Sequence, residues 1–285
     1  MQITPITILN TRRTEKSQPI KAAPGNYYKP SRAKASYSKE GQGYAKWGMQ
    51  FYDESPYTPW EAMRTIFMKS LKAVDNCPEA TQTEKSLAAM GLKSGSDLMT
   101  DKESVTIRAE VLKAIIGAAV GPVGAVIAQT ALNSLSNTTF YNWGVPRNVE
   151  RRAFDAIKEN PQTSRDEKAL AELGIDFGSD YMNEREAFRV RLPILGYLAH
   201  PQDKPMTSVL AGAVLKAAEA KDVTAATSRK IMEKGFEAVL KSPKANAEEK
   251  ALAKAGIEAG ADPKLSDKKA VQARKKILEE LQKGE

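Results

Sequence analysis

Few side chains in this sequence have the types and spacing to do chemistry. Three acid–base pairs recur: Asp97 with Arg108, Asp180 with Arg191, and Asp262 with Arg274. Beside them stand the pairs Glu84–Lys85, Glu167–Lys168 and Glu249–Lys250. A carboxylate beside a cation could move protons. Pairs that return at a fixed offset, however, more naturally serve a repeated fold. Each Asp is expected to favour the positive end of a following helix, and each Arg to cross to the Asp of its own unit. His200, the single histidine, precedes Pro201 on an expected turn, and Cys77 is the single cysteine. They make no ligand set of metal-binding spacing. Gly41-Gln42-Gly43 is too short for a phosphate loop and follows no strand. No catalytic, cofactor-binding or metal-binding residue is therefore expected, and the chain is read as non-enzymatic.

The pairs sit in a stretch that organises the whole sequence. Residues Glu84–Asp97 return as Glu167–Asp180 and Glu249–Asp262, at intervals of 83 and 82 residues. A fixed period of this kind sets an architecture and reassigns apparent motifs to packing. Pro78, Pro161 and Pro243 precede each copy, and Thr81, Ser164 and Asn246 stand three residues before the Glu. That spacing predicts capping boxes. Gly91, Gly174 and Gly256, each followed by Leu or Ile, predict left-handed helix ends. Gly95, Gly178 and Gly260 predict a second turn, after which Thr100, Asn183 and Ser266 cap another helix. Glu103 and Glu186 complete the first two of those caps; Lys269 leaves the third incomplete.

The period predicts an all-α fold built from a four-helix unit of about 83 residues: A, a short B, C and D. Expected boundaries are an irregular arm over 1–56, repeats over 57–140 and 141–223, and a third, truncated repeat over 224–285 that lacks helix D. In the first unit Thr58 as N-cap, Pro59 and the capping-box Glu61 should open helix A, with Trp60, Met63, Ile66, Phe67, Leu71 and Val74 on its core face. The apolar run Ala114–Leu132 is long enough to raise the question of a membrane span. Gly121-Pro122 in its middle favours a buried helical hairpin instead. Phe140, Tyr141 and Trp143 should pin the join between the first two units. The last helix, over 268–281, should face Val271, Lys275, Leu278 and Leu281 inward and close the array with a wetter outer face.

The charge is uneven. Residues 1–56 hold nine Lys/Arg against four acids, whereas the rest is nearly balanced. The arm is also dense in aromatics, unlike a solvating linker. Its candidate partner-binding residues are Arg12, Arg13, Lys21, Tyr27, Tyr28, Lys29, Arg32, Lys34, Tyr37, Tyr44, Lys46 and Trp47. Such a segment could lie on its own repeats, on a protein, or on nucleic acid through phosphate contacts and base stacking. The leading expectation is a scaffold or adaptor that binds protein partners or assembles with itself. A nucleic-acid-associated protein is the alternative, and a secreted or membrane-active one is a third. Without a basic and then apolar leader at Met1–Thr7, a cytoplasmic location is expected.

Overall fold

The computed structural model describes residues 25–54, 58–95, 98–178 and 181–283. Twelve helices follow one another among them: α1 (Lys39–Glu54), α2 (Trp60–Asn76), α3 (Gln82–Lys93), α4 (Asp101–Ile116), α5 (Val123–Asn137), α6 (Gly144–Glu159), α7 (Arg165–Asp176), α8 (Glu184–Ala199), α9 (Met206–Ala218), α10 (Ala225–Lys241), α11 (Ala247–Ala259) and α12 (Asp267–Gln282). The fold is all-α, as the sequence predicts. The apolar run 114–132 divides into the end of α4, a turn with positive φ at Ala118 and Gly121, and most of α5.

Helix pairing follows one rule along the chain. α1 packs on α2 and α4, α5 on α6 and α8, and α9 on α10 and α12; α4 in turn packs on α5, and α8 on α9. An offset of 83 residues carries α1 onto α5, and α5 onto α9. Residues 39–54 were expected to be irregular and instead form a helix. Its inner face carries Ala45 and Met49, while Gly41, Gly43 and Gly48 break the visible apolar period. Gly41 and Gly48 make close packing possible, whereas Gly43 faces open space. A Cβ on Gly48 would lie 2.7 Å from the Cβ of Ser70 on α2. The corresponding positions hold Ala131 and Ala153, then Val214 and Gly235. The bulk at this crossing is shared differently each time.

Five of the six predicted capping boxes form: Thr81 with Glu84, Thr100 with Glu103, Ser164 with Glu167, Asn183 with Glu186, and Asn246 with Glu249; that of Thr58 with Glu61 does not. Ser266 makes no side-chain cap bond. Each glutamate of these five boxes also ties in a second segment. The Ser38 amide and hydroxyl donate to Glu84 at 3.1 and 3.0 Å, just before α1. The Ser31 amide donates to Glu167 at 3.0 Å, and the Thr207 hydroxyl to Glu249. Glu103 accepts from the Tyr141 amide and Glu186 from the Thr224 amide, both at 3.0 Å. A carboxylate shared between two chain segments satisfies orphan amides at both.

The glycines of the repeated stretch do not end their helices as predicted. α3, α7 and α11 continue past Gly91, Gly174 and Gly256, and none of the three has positive φ. Their use is space rather than backbone freedom. A Cβ on Gly174 would lie 2.6 Å from Cε1 of the buried Phe154, one on Gly256 2.5 Å from Cε2 of Phe236, and one on Gly91 2.8 Å from Cδ1 of Leu71.

The last of the recurring arginines also differs from expectation. Arg274 bypasses Asp262, whose carboxylate accepts from the Lys264 amide at 2.8 Å. Its guanidinium donates to the carbonyls of Gly256, Ile257 and Arg229 at 3.1, 3.2 and 2.6 Å, and to Glu233. Arg191 does likewise to Gly174, Ile175 and Arg147 at 2.9, 3.3 and 3.4 Å. The buried cations thus close the carbonyl ends of α11 and α7, where a positive charge is favourable. Arg108 instead donates to the carbonyl of Ser104 at 3.2 Å and to its hydroxyl. Gly178 and Gly260 leave room for the guanidinium: a Cβ on either would overlap it. Asp97 and Asp180 lie outside the described residues.

Smaller corrections concern helix ends. Pro59, not Thr58, flanks α2, without a side-chain cap bond, and Trp60 is 40% exposed rather than core. Tyr141 is 81% exposed and secures the join through its amide, while Trp143 packs on Phe188 with ring centres 5.6 Å apart. On α12, Leu278 and Leu281 are buried as expected, but Val271 and Lys275 are half-exposed.

Candidate functional site

The predicted arm divides into parts with different fates. Arg12, Arg13 and Lys21 lie outside the described residues. From Asn26 to Ser38 the backbone is extended and crosses the starts of several helices. The Met206 amide donates to the Asn26 carbonyl and the Tyr28 amide to the Lys204 carbonyl, each at 2.7 Å. Further on, the Lys29 amide donates to Asp166 at 2.6 Å and the Ala35 amide to the Gly121 carbonyl at 2.8 Å. Thr81 Oγ1 donates to the Ser36 carbonyl at 2.6 Å. Tyr27 and Lys34 form isolated antiparallel bridges with Pro205 and Pro122. Extended chain can add main-chain bonds wherever turns leave amides and carbonyls free.

The aromatics of this segment face inward. Tyr28 is buried, and burial, with the charges of Glu167 and Asp166, raises its phenol well above the ordinary range. Tyr37 is half-buried and donates to the Ala119 carbonyl at 3.2 Å; burial and Glu84 push it up to about 12. Tyr27 is half-buried, while Lys29, Arg32 and Lys34 project outward.

The outward face of α1 is different. Tyr44 and Trp47 are 44% and 43% exposed, and Lys46 is exposed. Tyr44 and Trp47, with Glu40, Gly43, Lys69 and Ala73, line an open groove of about 630 Å³. Gly43, Tyr44 and Trp47 correspond, at an offset of 83, to Val126, Ile127 and Thr130 of α5. The next offset reaches Val209, Leu210 and Ala213 of α9. Those six are at most 5% exposed. The Ser134 hydroxyl of α5, one turn further along the same face, donates to the Ile107 carbonyl of α4. The exposed aromatic face of α1 therefore matches the face that α5 and α9 bury against a preceding helix. Sequence reading reached Tyr44, Lys46 and Trp47 but missed Glu40, Gly43, Lys69 and Ala73, because α1 went unrecognised. The offset of 83 back from α5 was the signal that could have found them.

One buried group resists a packing explanation. Glu150 on α6 is fully buried, and neither oxygen has a hydrogen-bond partner among the described residues. Corresponding positions hold Phe67 and Met232. Burial raises its carboxyl well above the ordinary range despite the opposing charge of Arg191. The folded state then holds a proton that the unfolded chain has released, so this group's contribution to stability falls as pH rises from the ordinary carboxylate range through the raised value. Glu150→Gln is expected to remove that slope, and Glu150→Met to raise the melting temperature at neutral pH. Thermal melts across pH check both; a parallel profile for the glutamine variant would contradict the assignment.

His200 is exposed just after α8, and Cys77 is buried with its thiol 3.3 Å from Glu79. Among the described residues no three His, Cys, Asp or Glu side chains gather as a metal set, and no helix is long and apolar enough to cross a membrane. Comparison with family models, with curated proteins and with solved structures returns no match.

Proposed function

We propose that this chain is a non-enzymatic scaffold or adaptor: an array of three four-helix units that docks a protein through the outward face of α1. The recurring pairings support a unit that begins with helix D. On this reading α1–α4, α5–α8 and α9–α12 are three whole units, rather than two and a truncated third, and each buries its faces against its neighbours. Residues 26–38 bind the units together along one edge. The observation that carries the docking reading is the exposed Tyr44–Trp47 pair in an open groove, at positions buried in the other two units. Aromatic anchors of this kind dominate protein interfaces.

Nucleic-acid binding, the alternative, draws on the exposed Lys29, Arg32 and Lys34. Against it, Tyr28 and Tyr37 beside those cations are turned inward and offer no face for base stacking. A photoreactive phenylalanine analogue at position 44 tests the leading reading. It should cross-link to protein, with the product lost in Trp47→Ala. Cross-linking to nucleic acid, or yield indifferent to Trp47, would overturn it.

A further inference from the structure

The two ends of the array are chemically unlike. At the α12 end, the positions that correspond to Glu103, Ile107 and Glu110 of α4 hold Lys269, Ala273 and Lys276. Both lysines are exposed, whereas the three α4 residues are buried beneath the neighbouring unit. A copy of the chain that docked through this end would have to strip water from those charges, which costs much of what the contact gains. At the α1 end the corresponding surface is aromatic. Tyr44 and Trp47 line the groove together, Gly43 beside them leaves open space for a second helix, and the lining also carries opposite charges, Glu40 on α1 and Lys69 on α2.

A groove lined by aromatics together with one carboxylate and one ammonium can be self-complementary. A two-fold axis through the groove sets Glu40 of each copy towards Lys69 of the other, while the aromatic pairs meet between them. Closed two-fold pairs are the commonest assemblies, and they need the same patch on both subunits. We infer that the occupant of the α1 groove is a second copy of this chain, joined head to head through Tyr44 and Trp47 with reciprocal Glu40–Lys69 pairs. This rests on the docking reading above and names its partner.

Sedimentation equilibrium of the full chain over a concentration series tests it. The wild type should move from 31.1 kDa towards twice that mass and no further. Trp47→Glu should weaken the dimer by about 30-fold or more, as loss of a central aromatic anchor does, while circular dichroism confirms that it is folded. Lys276→Glu at the opposite end should leave the dimer unchanged. Glu40→Lys and Lys69→Glu should each dimerise poorly alone, but form a heterodimer when mixed, because both charge contacts are then Lys–Glu. Three results would overturn the inference: a wild type that stays monomeric throughout, assemblies that grow beyond the dimer and are stopped by Lys276→Glu, or charge variants that do not recover on mixing. If the chain is monomeric while position 44 still cross-links another protein in a Trp47-dependent way, this inference fails and the docking reading stands.

Discussion

Replacing Arg191 by leucine is expected to destabilise the protein by about 3–5 kcal/mol, the usual result of removing one partner of a buried charged cluster. Three losses combine. The Gly174 carbonyl loses its donor, the Ile175 carbonyl is left with the Gly178 amide alone, and the packing of a buried side chain is lost. A buried carbonyl left unpaired costs about 1–3 kcal/mol. Glu150, already buried without hydrogen bonds, also loses the neighbouring cation that eases its ionisation, which drives its carboxyl higher still. Burial lowers the Arg191 guanidinium to about 10, so it remains charged at neutral pH. Lysine should rescue poorly, since its single ammonium cannot reproduce a planar fork spanning three carbonyls. Adding Glu150→Met to Arg191→Leu should recover part of the loss. Chemical denaturation of the two single variants and the double closes this cycle, and strict additivity would show that the two groups are not coupled.

Gly174→Ala is the second large effect. The added methyl would meet the ring of Phe154, which is fully buried. Overpacking of this kind costs about 1–3 kcal/mol, occasionally more. At an exposed helical site the same change would stabilise by about 1 kcal/mol. The sign of the effect therefore separates two accounts of this glycine. A shape-compensating Gly174→Ala/Phe154→Leu variant should regain much of the stability. A stabilising Gly174→Ala would mean that α6 and α7 sit further apart than described here.

These variants bear on what was legible in the sequence. The capping boxes could be read directly, because Thr81 with Glu84 and its counterparts act within four residues and need no tertiary context. Gly174 could not. A glycine followed by isoleucine looks the same whether it supplies positive φ or room for a ring, and only the crossing of α6 with α7 decides. Arg274 failed similarly: Asp262 was the obvious partner by charge, but the carbonyl end of α11 is a negative site that the sequence does not print. α1 escaped notice because Gly41 and Gly48 stand where Glu84 and Ser70 press against its backbone. In α5 the first of these is glycine again, Gly124 against Glu167, but the second is Ala131, and α9 carries Thr207 and Val214 there, so neither counterpart has both gaps. The docking face was half visible, as aromatics without an assigned surface.

Amide hydrogen exchange over residues 25–54 tests the central claim most directly. If α1 is the opening helix of the first unit, and residues 26–38 bind the array along its edge, their hydrogen-bonded amides should be protected comparably to those of α5 and α9. Protection should extend to the amides of Tyr28, Ala35 and Met206, which donate across that edge. Exchange at unprotected rates through residue 54, beside a protected body from α2 onward, would contradict the claim and return the first unit to one that starts at helix A.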